Sequence, residues 1–262
     1  MEGEFTGKEV YKQKFCPQNY LNTYLSFESE DSLNYGNAFT TVLDKLHKAF
    51  TKDGIRGDTL IDIGSGPSIH HLLSACESFK EIIVSDFLEQ NREEVKKWLK
   101  KDSETFDWAP VLKYVCQLEG DRERWMEKEE KLRKAIKQVL KCDVTLANPF
   151  DPVVVHPADC VLSTYCIEAA CKDLSIYRSA MKNLFSLVKP GGRLILVVAL
   201  GATFYMVGPN KFSSLYLTPE VVRDVLKGAG FDSVSSEVVG FTFPPGICDA
   251  YDSLFVVARK PN

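Results

Sequence analysis

Thr59-Leu60-Ile61-Asp62-Ile63-Gly64-Ser65-Gly66-Pro67-Ser68 runs from an apolar strand straight into two closely spaced glycines. A backbone without Cβ atoms can turn sharply at that point and let a ligand approach closely. About twenty residues on, the apolar run Glu81-Ile82-Ile83-Val84-Ser85 ends in Asp86, an acid at the tip of a neighbouring strand that can accept both hydrogens of a ribose diol. Together the turn and the acid define an adenosine pocket. Dinucleotide sites carry a third glycine so that a pyrophosphate can rest on a helix N-terminus; here Pro67-Ser68 takes that place, and no phosphate is invited. A tight strand-to-helix turn with no ligand is the bland reading of the glycines alone.

The rest of the chain narrows the class. With 262 residues, 45% hydrophobic and 26% charged, it has the composition of a soluble globular protein able to bury a substantial core. A net charge of −4, from 32 basic and 36 acidic residues, does not suggest nucleic acid or an anionic membrane as partner. No apolar run approaches the ~20 residues needed to cross a bilayer. Met1-Glu2-Gly3-Glu4 does not resemble a signal peptide, so a cytoplasmic protein is expected, read as a monomer. The eight cysteines are scattered, apart from Cys166 and Cys171, and the four histidines include only one adjacent pair, His70 and His71. No metal site is expected, and the thiols are read as reduced.

After residue 55, strand and helix signals alternate as a doubly wound sheet requires. Strands are expected over Thr59–Ile63, Glu81–Asp86, Gln138–Val144, Asp159–Ser163 and Gly192–Ala199, with helices near Ile69–Cys76, Gln90–Leu99, Lys128–Val139, Leu174–Leu187 and Pro219–Ala229. Val234–Val239 and Leu254–Arg259 are close enough to close the sheet as an antiparallel pair. The charged stretch from Asp121 to Lys141 reads as a solvated helix face. The first 50 residues fall outside the alternation. They hold Phe5, Tyr11, Phe15, Tyr20, Tyr24 and Phe27 and then a helical pattern over Ala38–Phe50, which suits either a lid over a pocket at the strand C-termini or packing against the sheet edge.

D-x-G-x-G at a strand end with an acid after the next strand resembles motif I of class I S-adenosylmethionine-dependent methyltransferases. KFCPQNYL (14–21), LIDIGSGPS, LLSACESFKEI, KKWLKK, the Phe106-Asp107-Trp108 triplet, QLEGDRERW, KCDV, ADCVLST, LVKPGG and FVVARK carry the likeness further. Across the whole chain they resemble the family of nicotinamide, indolethylamine and phenylethanolamine N-methyltransferases. The resemblance implies an α/β fold, a Rossmann-like sheet of seven strands with the last pair antiparallel, in one domain over residues 1–262 with residues 1–50 as an N-terminal cap. It implies S-adenosyl-L-methionine as cofactor and a small amine as the substrate.

Carried over by position, the resemblance puts Gly64, Ser65 and Gly66 around the methionine portion, Asp86 on the ribose and Asn91 beside it. Asp143 and Val144 would hold the adenine edge; Tyr20, Thr164 and His70 would lie at the amino-acid end. For the acceptor it implies Tyr24, Val198, Ala199, Tyr205, Ser214 and Phe243, with Glu168 and Asp249 as the acids that locate and deprotonate an alkylammonium. The departures matter too. Leu25 and His70 stand where the nicotinamide enzymes have tyrosines, Val198 where they have an acceptor-pocket aspartate, and Ala202 where they have a serine. A buried amide left without partners costs about 1–3 kcal/mol per group, so the first expectation is methylation of an arylalkylamine. Nicotinamide N-methylation is the alternative, and a cofactor-binding protein without turnover is the reading from another class.

Overall fold

The computed structural model describes residues 5–26, 36–240 and 246–262. Phe27 and Phe243 lie outside the described residues. Seven strands make one sheet: β1 (Gly57–Ile63), β2 (Phe79–Asp86), β3 (Ile136–Lys141), β4 (Ala158–Thr164) and β5 (Val188–Leu200), then β8 (Ser233–Val239) and β9 (Asp252–Arg259). Their order is β3-β2-β1-β4-β5-β9-β8. The first five run parallel, while β9 pairs antiparallel with both β5 and β8. Between β5 and β8 a separate two-stranded hairpin, β6 (Phe204–Val207) and β7 (Asn210–Ser213), stands off the sheet.

Because side chains alternate along a strand, one sequence feeds two cores. Leu60, Ile82, Val84, Leu162, Ile195 and Val197 face one side. Ile61, Ile63, Ile83, Val161, Leu194, Leu196 and Val198 face the other. The first core is covered by α3 (Gly36–Thr51), α5 (Ala109–Leu118) and α6 (Trp125–Ala135), and α4 (Glu89–Leu99) contributes Val95 and Trp98 to it. The second is covered by α8 (Leu174–Leu187) and α9 (Pro219–Ala229). The last of these carries its own signals. Thr218 caps its first turn, Pro219 opens it, and Gly230 ends it at φ 113°.

The interior of the chain differs from expectation in three places. Ile69–Cys76 forms two short 3₁₀ turns, His70–Leu72 and Ala75–Glu77, in place of one helix. Every residue from Pro67 to Cys76 is buried, so the segment has no solvent face for an amphipathic helix to present. The helix expected over Lys128–Val139 stops at Ala135, because Ile136 already pairs with Ile82 as the first residue of β3. That strand ends at Lys141, which leaves Asp143 and Val144 in the loop beyond it. Helix α5 and the hairpin were not anticipated.

At the N-terminus, α1 (Lys8–Lys14) and α2 (Pro17–Tyr24) lie against the hairpin through aromatic contacts. Ring centroids are 5.4 Å apart for Tyr11 and Phe212, and 5.7 Å for Phe15 and Phe212. Aromatic pairs at this spacing add about 0.5–1.5 kcal/mol beyond their burial, so the extension has its own reason to stay over the strand ends. Among the described residues, no helix is long and apolar enough to cross a membrane.

Candidate active site

The C-terminal ends of β1, β2, β4 and β5 open into one cleft, with residues of α1, α2 and the hairpin on its far wall. The sheet order sets its layout. The loop after β3 and the tip of β2 form one end, the glycine turn after β1 the middle, and the tips of β4 and β5 the other end.

At the first end, Asp86 is buried, and both its oxygens are positioned. Oδ2 accepts from Gly66 N at 2.9 Å, and Oδ1 accepts from Leu88 N at 2.8 Å and Asn91 Nδ2 at 3.1 Å. Burial raises its carboxyl above the ordinary range, and these three donors offset only part of that. Asn91 does not reach the cleft; its place is behind Asp86, orienting it. Asp143 lines the cleft and accepts from Lys8 Nζ at 2.5 Å and from Thr145 N and Oγ1 at 3.1 and 2.6 Å. Burial alone would raise the Asp143 carboxyl, but Lys8 and Thr145 hold it below its usual range. Val144 lines the wall beside it.

The middle is built on backbone. Gly64 and Gly66 have φ of 73° and 62°, a region non-glycine residues enter at a cost of about 1–2 kcal/mol. The amides of Gly64 and Ser65 both donate to Ser85 O, at 2.9 and 3.0 Å, which ties the turn to β2. Behind it, Ser65 Oγ donates to Asp62 Oδ2 at 2.6 Å, and His71 Nε2 lies 2.7 Å from that same oxygen. The two glycines face different surroundings. A Cβ on Gly64 would meet Cys166 Sγ at 2.0 Å, whereas the nearest atom to a Cβ on Gly66 is a ring carbon of Tyr20 at 4.0 Å. Gly66 therefore faces open cleft, the close approach that a ligand requires.

Around the turn stand Tyr20, Thr164 and His70, all lining the cleft. The His70 ring packs 4.7 Å from Phe39 and 6.4 Å from Trp108, and its Nδ1 is buried without a partner. Burial, then the neighbouring His71, push the imidazole well below its ordinary pKa, so His70 is neutral at physiological pH. A neutral ring keeps a single N–H to offer.

At the far end, β4 runs through Thr164 into Tyr165, held at φ 52°, and on into α7 (Ile167–Ala170). Glu168 on that short helix is 2% exposed and lines the cleft. Oε1 accepts from Ala199 N at 2.8 Å, while Oε2 is buried without a partner. Burial pushes the carboxyl up to about 7, against the pull of its amide donor. Tyr24, Ala199, Tyr205 and Ser214 share this end.

Two expected acceptor residues are placed elsewhere. Val198 does not line the cleft: alternation along β5 turns Ala199 toward it and puts Val198 in the opposite core with Leu196 and Leu200. Asp249 does not line it either. Its carboxylate accepts from Thr203 N at 2.8 Å, Thr203 Oγ1 at 2.5 Å and Phe204 N at 3.1 Å, which pins the loop leading into β6. Burial would raise that carboxyl, but these bonds hold it below its ordinary range, as suits a loop clamp. Lys8, Tyr11, Tyr165 and Cys248 line the cleft without having been singled out as site residues. Tyr11 could have been read from its aromatic cluster; Lys8 and Cys248 carry no local signal. Among the described residues, no group of acids, histidines or cysteines could hold a metal ion.

The donor set suits an S-adenosyl compound. It offers a buried acid for a diol, an open-faced glycine and a second acid for an exocyclic amine, and among the described residues the one lysine or arginine lining the cleft, Lys8, is paired with Asp143. Comparison with known proteins agrees. A model of the NNMT/PNMT/TEMT family matches residues 3–261. Human nicotinamide N-methyltransferase is 50% identical over 260 residues, covering 99% of this chain and 98% of its own. Rabbit (Oryctolagus cuniculus) indolethylamine N-methyltransferase is 49% identical over 266 residues, covering the same shares. Human phenylethanolamine N-methyltransferase is 33% identical over 253 residues, covering 95% and 89%. Among solved structures, magnesium protoporphyrin IX methyltransferase from Synechocystis PCC 6803, with bound S-adenosylhomocysteine, shares the fold at TM-score 0.59 and 14% identity, covering 93% of each chain. The N-methyltransferase NodS from Bradyrhizobium japonicum WM9 does so at TM-score 0.52 and 13% identity, covering 94% and 99%.

Proposed function

Since the chain belongs to the NNMT/PNMT/TEMT family and is an S-adenosylmethionine-dependent N-methyltransferase, we propose that its acceptor is a small arylalkylamine, with Glu168 as the acid that receives the amine. Identity does not separate the candidates, at 50% to a nicotinamide enzyme and 49% to an indolethylamine enzyme. One observation carries the choice: the buried, unpartnered Oε2 of Glu168 at the acceptor end. An alkylammonium supplies both a hydrogen and a positive charge to such an oxygen, whereas a pyridine carboxamide can offer an N–H but no charge to balance a buried carboxylate.

S-adenosyl-L-methionine, when bound, supplies an electrophilic methyl group on a sulfonium. Asp86 is read as its ribose acceptor, Asp143 and Val144 as the adenine edge, and Tyr20, Thr164 and His70 as partners of its amino-acid end. What remains for the chain is alignment and one proton. Alignment of two reactants is worth about 7–11 kcal/mol. An amine of pKa about 10.4 is less than ~0.1% free base at neutral pH. Moving its proton to a carboxyl at about 7 costs roughly 4–5 kcal/mol before the ion pair and burial reduce it. Glu168 takes that proton and frees the nitrogen lone pair, which would form the new nitrogen–carbon bond as the methyl group's bond to the sulfonium sulfur breaks and its electron pair passes to sulfur.

We read residues 1–262 as one domain, with residues 1–50 as the cap, working as a cytoplasmic monomer on a small molecule and without nucleic acid or membrane partners. The test is methyl transfer from labelled cofactor to tryptamine, phenylethanolamine, nicotinamide and a thioether side by side. Faster turnover of an amine supports the proposal. A higher kcat/KM for nicotinamide than for every amine rejects it, and cofactor binding with no transfer at all favours a protein without turnover.

A further inference from the structure

The Asp143 carboxylate, read above as the partner of the adenine edge, is largely engaged within the chain. Oδ1 accepts from Thr145 N and Thr145 Oγ1, at 3.1 and 2.6 Å, and Oδ2 accepts from Lys8 Nζ at 2.5 Å. The same Nζ donates to Thr145 Oγ1 at 2.8 Å, which closes a ring of three side chains. A carboxylate has about four lone-pair sites. With three filled, the fourth lies on Oδ2 beside the lysine, and an exocyclic N–H of the base would bind there.

Lys8 comes from outside the sheet. It opens α1, a helix of seven residues with none buried, too short to hold its place alone. The other polar ties around α1 lead away from the cofactor end. Thr6 and Ser213 exchange bonds of 2.8 and 2.9 Å, Asn210 donates to Lys14 O at 3.2 Å, and Gln90 of α4 donates to Lys12 O at 3.0 Å. Among the described residues, only Lys8 ties α1 to a carboxylate that lines the cleft. Its ammonium also lies 5.6 Å from the ring centroid of Phe87, next in chain to Asp86. One side chain thus links α1 to the tip of β2 and to the loop after β3.

We propose that Lys8 is a positioning residue for the cofactor: it orients the Asp143 carboxylate toward the adenine amino group and fastens α1 at that end of the cleft, so that S-adenosylhomocysteine leaves only after the pair has parted. This rests on the reading of Asp143 as the adenine partner and adds the residue that holds it. The ammonium does not compete with the base, since the two donate to different sites of one carboxylate. Its charge also keeps that carboxylate ionised, the form with only acceptors to offer. A charge-assisted bond to a carboxylate side chain that is 12% exposed must break on the way out, which should slow release by about tenfold or more.

The test is the dissociation rate of S-adenosylhomocysteine by stopped-flow displacement, with its equilibrium affinity by calorimetry. Lys8→Met keeps an unbranched side chain and removes the charge, so release should quicken about tenfold or more. The Lys8 side chain is 47% exposed, and the amino-acid end of the ligand is a zwitterion without net charge. Added salt should therefore quicken release from the unmodified protein and leave Lys8→Met nearly flat, a difference that a merely structural role would not produce. Unchanged release from folded Lys8→Met overturns the proposal, as does tighter binding, the result if the lysine blocks the base. A salt-independent release rate in the unmodified protein overturns it too, and needs no variant. Asp143→Asn separates this from the reading beneath it, because its amide turns a donor toward the base and should weaken binding. Unchanged affinity in Asp143→Asn rejects Asp143 as the adenine partner and the proposal with it, whereas a loss there with no change in Lys8→Met rejects the role of Lys8 alone.

Discussion

Glu168 and Ala199 are joined by a 2.8 Å hydrogen bond from the Ala199 amide to Oε1, and this bond fixes a carboxylate whose second oxygen has no partner. The joined residues sit on neighbouring elements, α7 after β4 and the end of β5, so the sheet itself sets the orientation of the acid. A buried carboxyl held on one side and unpaired on the other is poised to meet a charged donor.

The same arrangement makes activity and stability depend on pH in opposite directions. If ionised Glu168 is the form that receives the amine, kcat/KM for an amine should rise with pH through about 7, and Glu168→Gln should flatten that limb. For stability, the folded pKa of about 7 lies above the ordinary 4.5, so the folded protein holds this proton more tightly than the unfolded chain does. Glu168 should therefore cost stability as pH rises from about 4.5 to 7, by up to roughly 3 kcal/mol, and the cost persists above that window. Urea unfolding of the protein and of Glu168→Gln at pH 5 and pH 8 measures this. The variant should gain relative stability at pH 8; an equal difference at both pH values removes the raised pKa from the argument.

The two glycines of the turn should behave differently on substitution. Gly64→Ala drives a methyl into Cys166 and should compromise folding. Gly66→Ala meets no protein atom closer than 4.0 Å, so it should fold with a loss of about 1–2 kcal/mol from its left-handed backbone. Its methyl would nevertheless fill space assigned to the cofactor, and affinity for S-adenosylhomocysteine should fall tenfold or more. Calorimetric titration of folded Gly66→Ala with unchanged affinity would show that the open space is not ligand space.

Asp86→Ala should weaken S-adenosylhomocysteine by roughly 2 kcal/mol or more, because a charged acceptor for the ribose is lost together with the anchor of the Gly66 amide. Asn91→Ala should cost less, since the amide supports Asp86 from behind at 3.1 Å. Titrations of the two variants give the order, and a larger loss for Asn91→Ala would reverse these assignments.

Asp249→Ala should leave kcat/KM for amines within about threefold, since its carboxylate serves Thr203 and Phe204 and does not line the cleft. Its effect should be on stability, about 1 kcal/mol for an exposed loop clamp. A hundredfold loss of amine turnover at unchanged stability would return Asp249 to the site.

Legibility in the sequence followed how local each signal was. The turn at Gly64 and Gly66, the acid at Asp86 and the strand runs around them are local patterns, and they stand in the structure as read. The segment from Lys128 to Val144 was harder, because Ile136 and Val139 stand three apart, a helical spacing, and reach the same core from β3 only through the irregular register beside Ile82 and Ile83; only pairing with β2 decides for a strand. The site divided in the same way. Glu168 follows a strand tip and lines the cleft, but Asp249 belongs to a loop whose hydrogen bonds reach across 45 and 46 residues of sequence. Val198 and Ala199 differ by one position on β5, and a side chain's face depends on register, which no motif states. Lys8 meets Asp143 across 135 residues, a contact that only the folded chain creates.

The most direct measurement is kcat/KM of Glu168→Gln against the unmodified enzyme on two acceptors, phenylethylamine and nicotinamide, with S-adenosylhomocysteine affinity measured alongside. The expected result is a loss of about 10²-fold or more on the amine, in the range of a lost acid–base group, a much smaller loss on the already unprotonated pyridine, and nearly unchanged cofactor affinity. Equal losses on both acceptors, or none on either, would contradict the assignment of the amine's proton to Glu168.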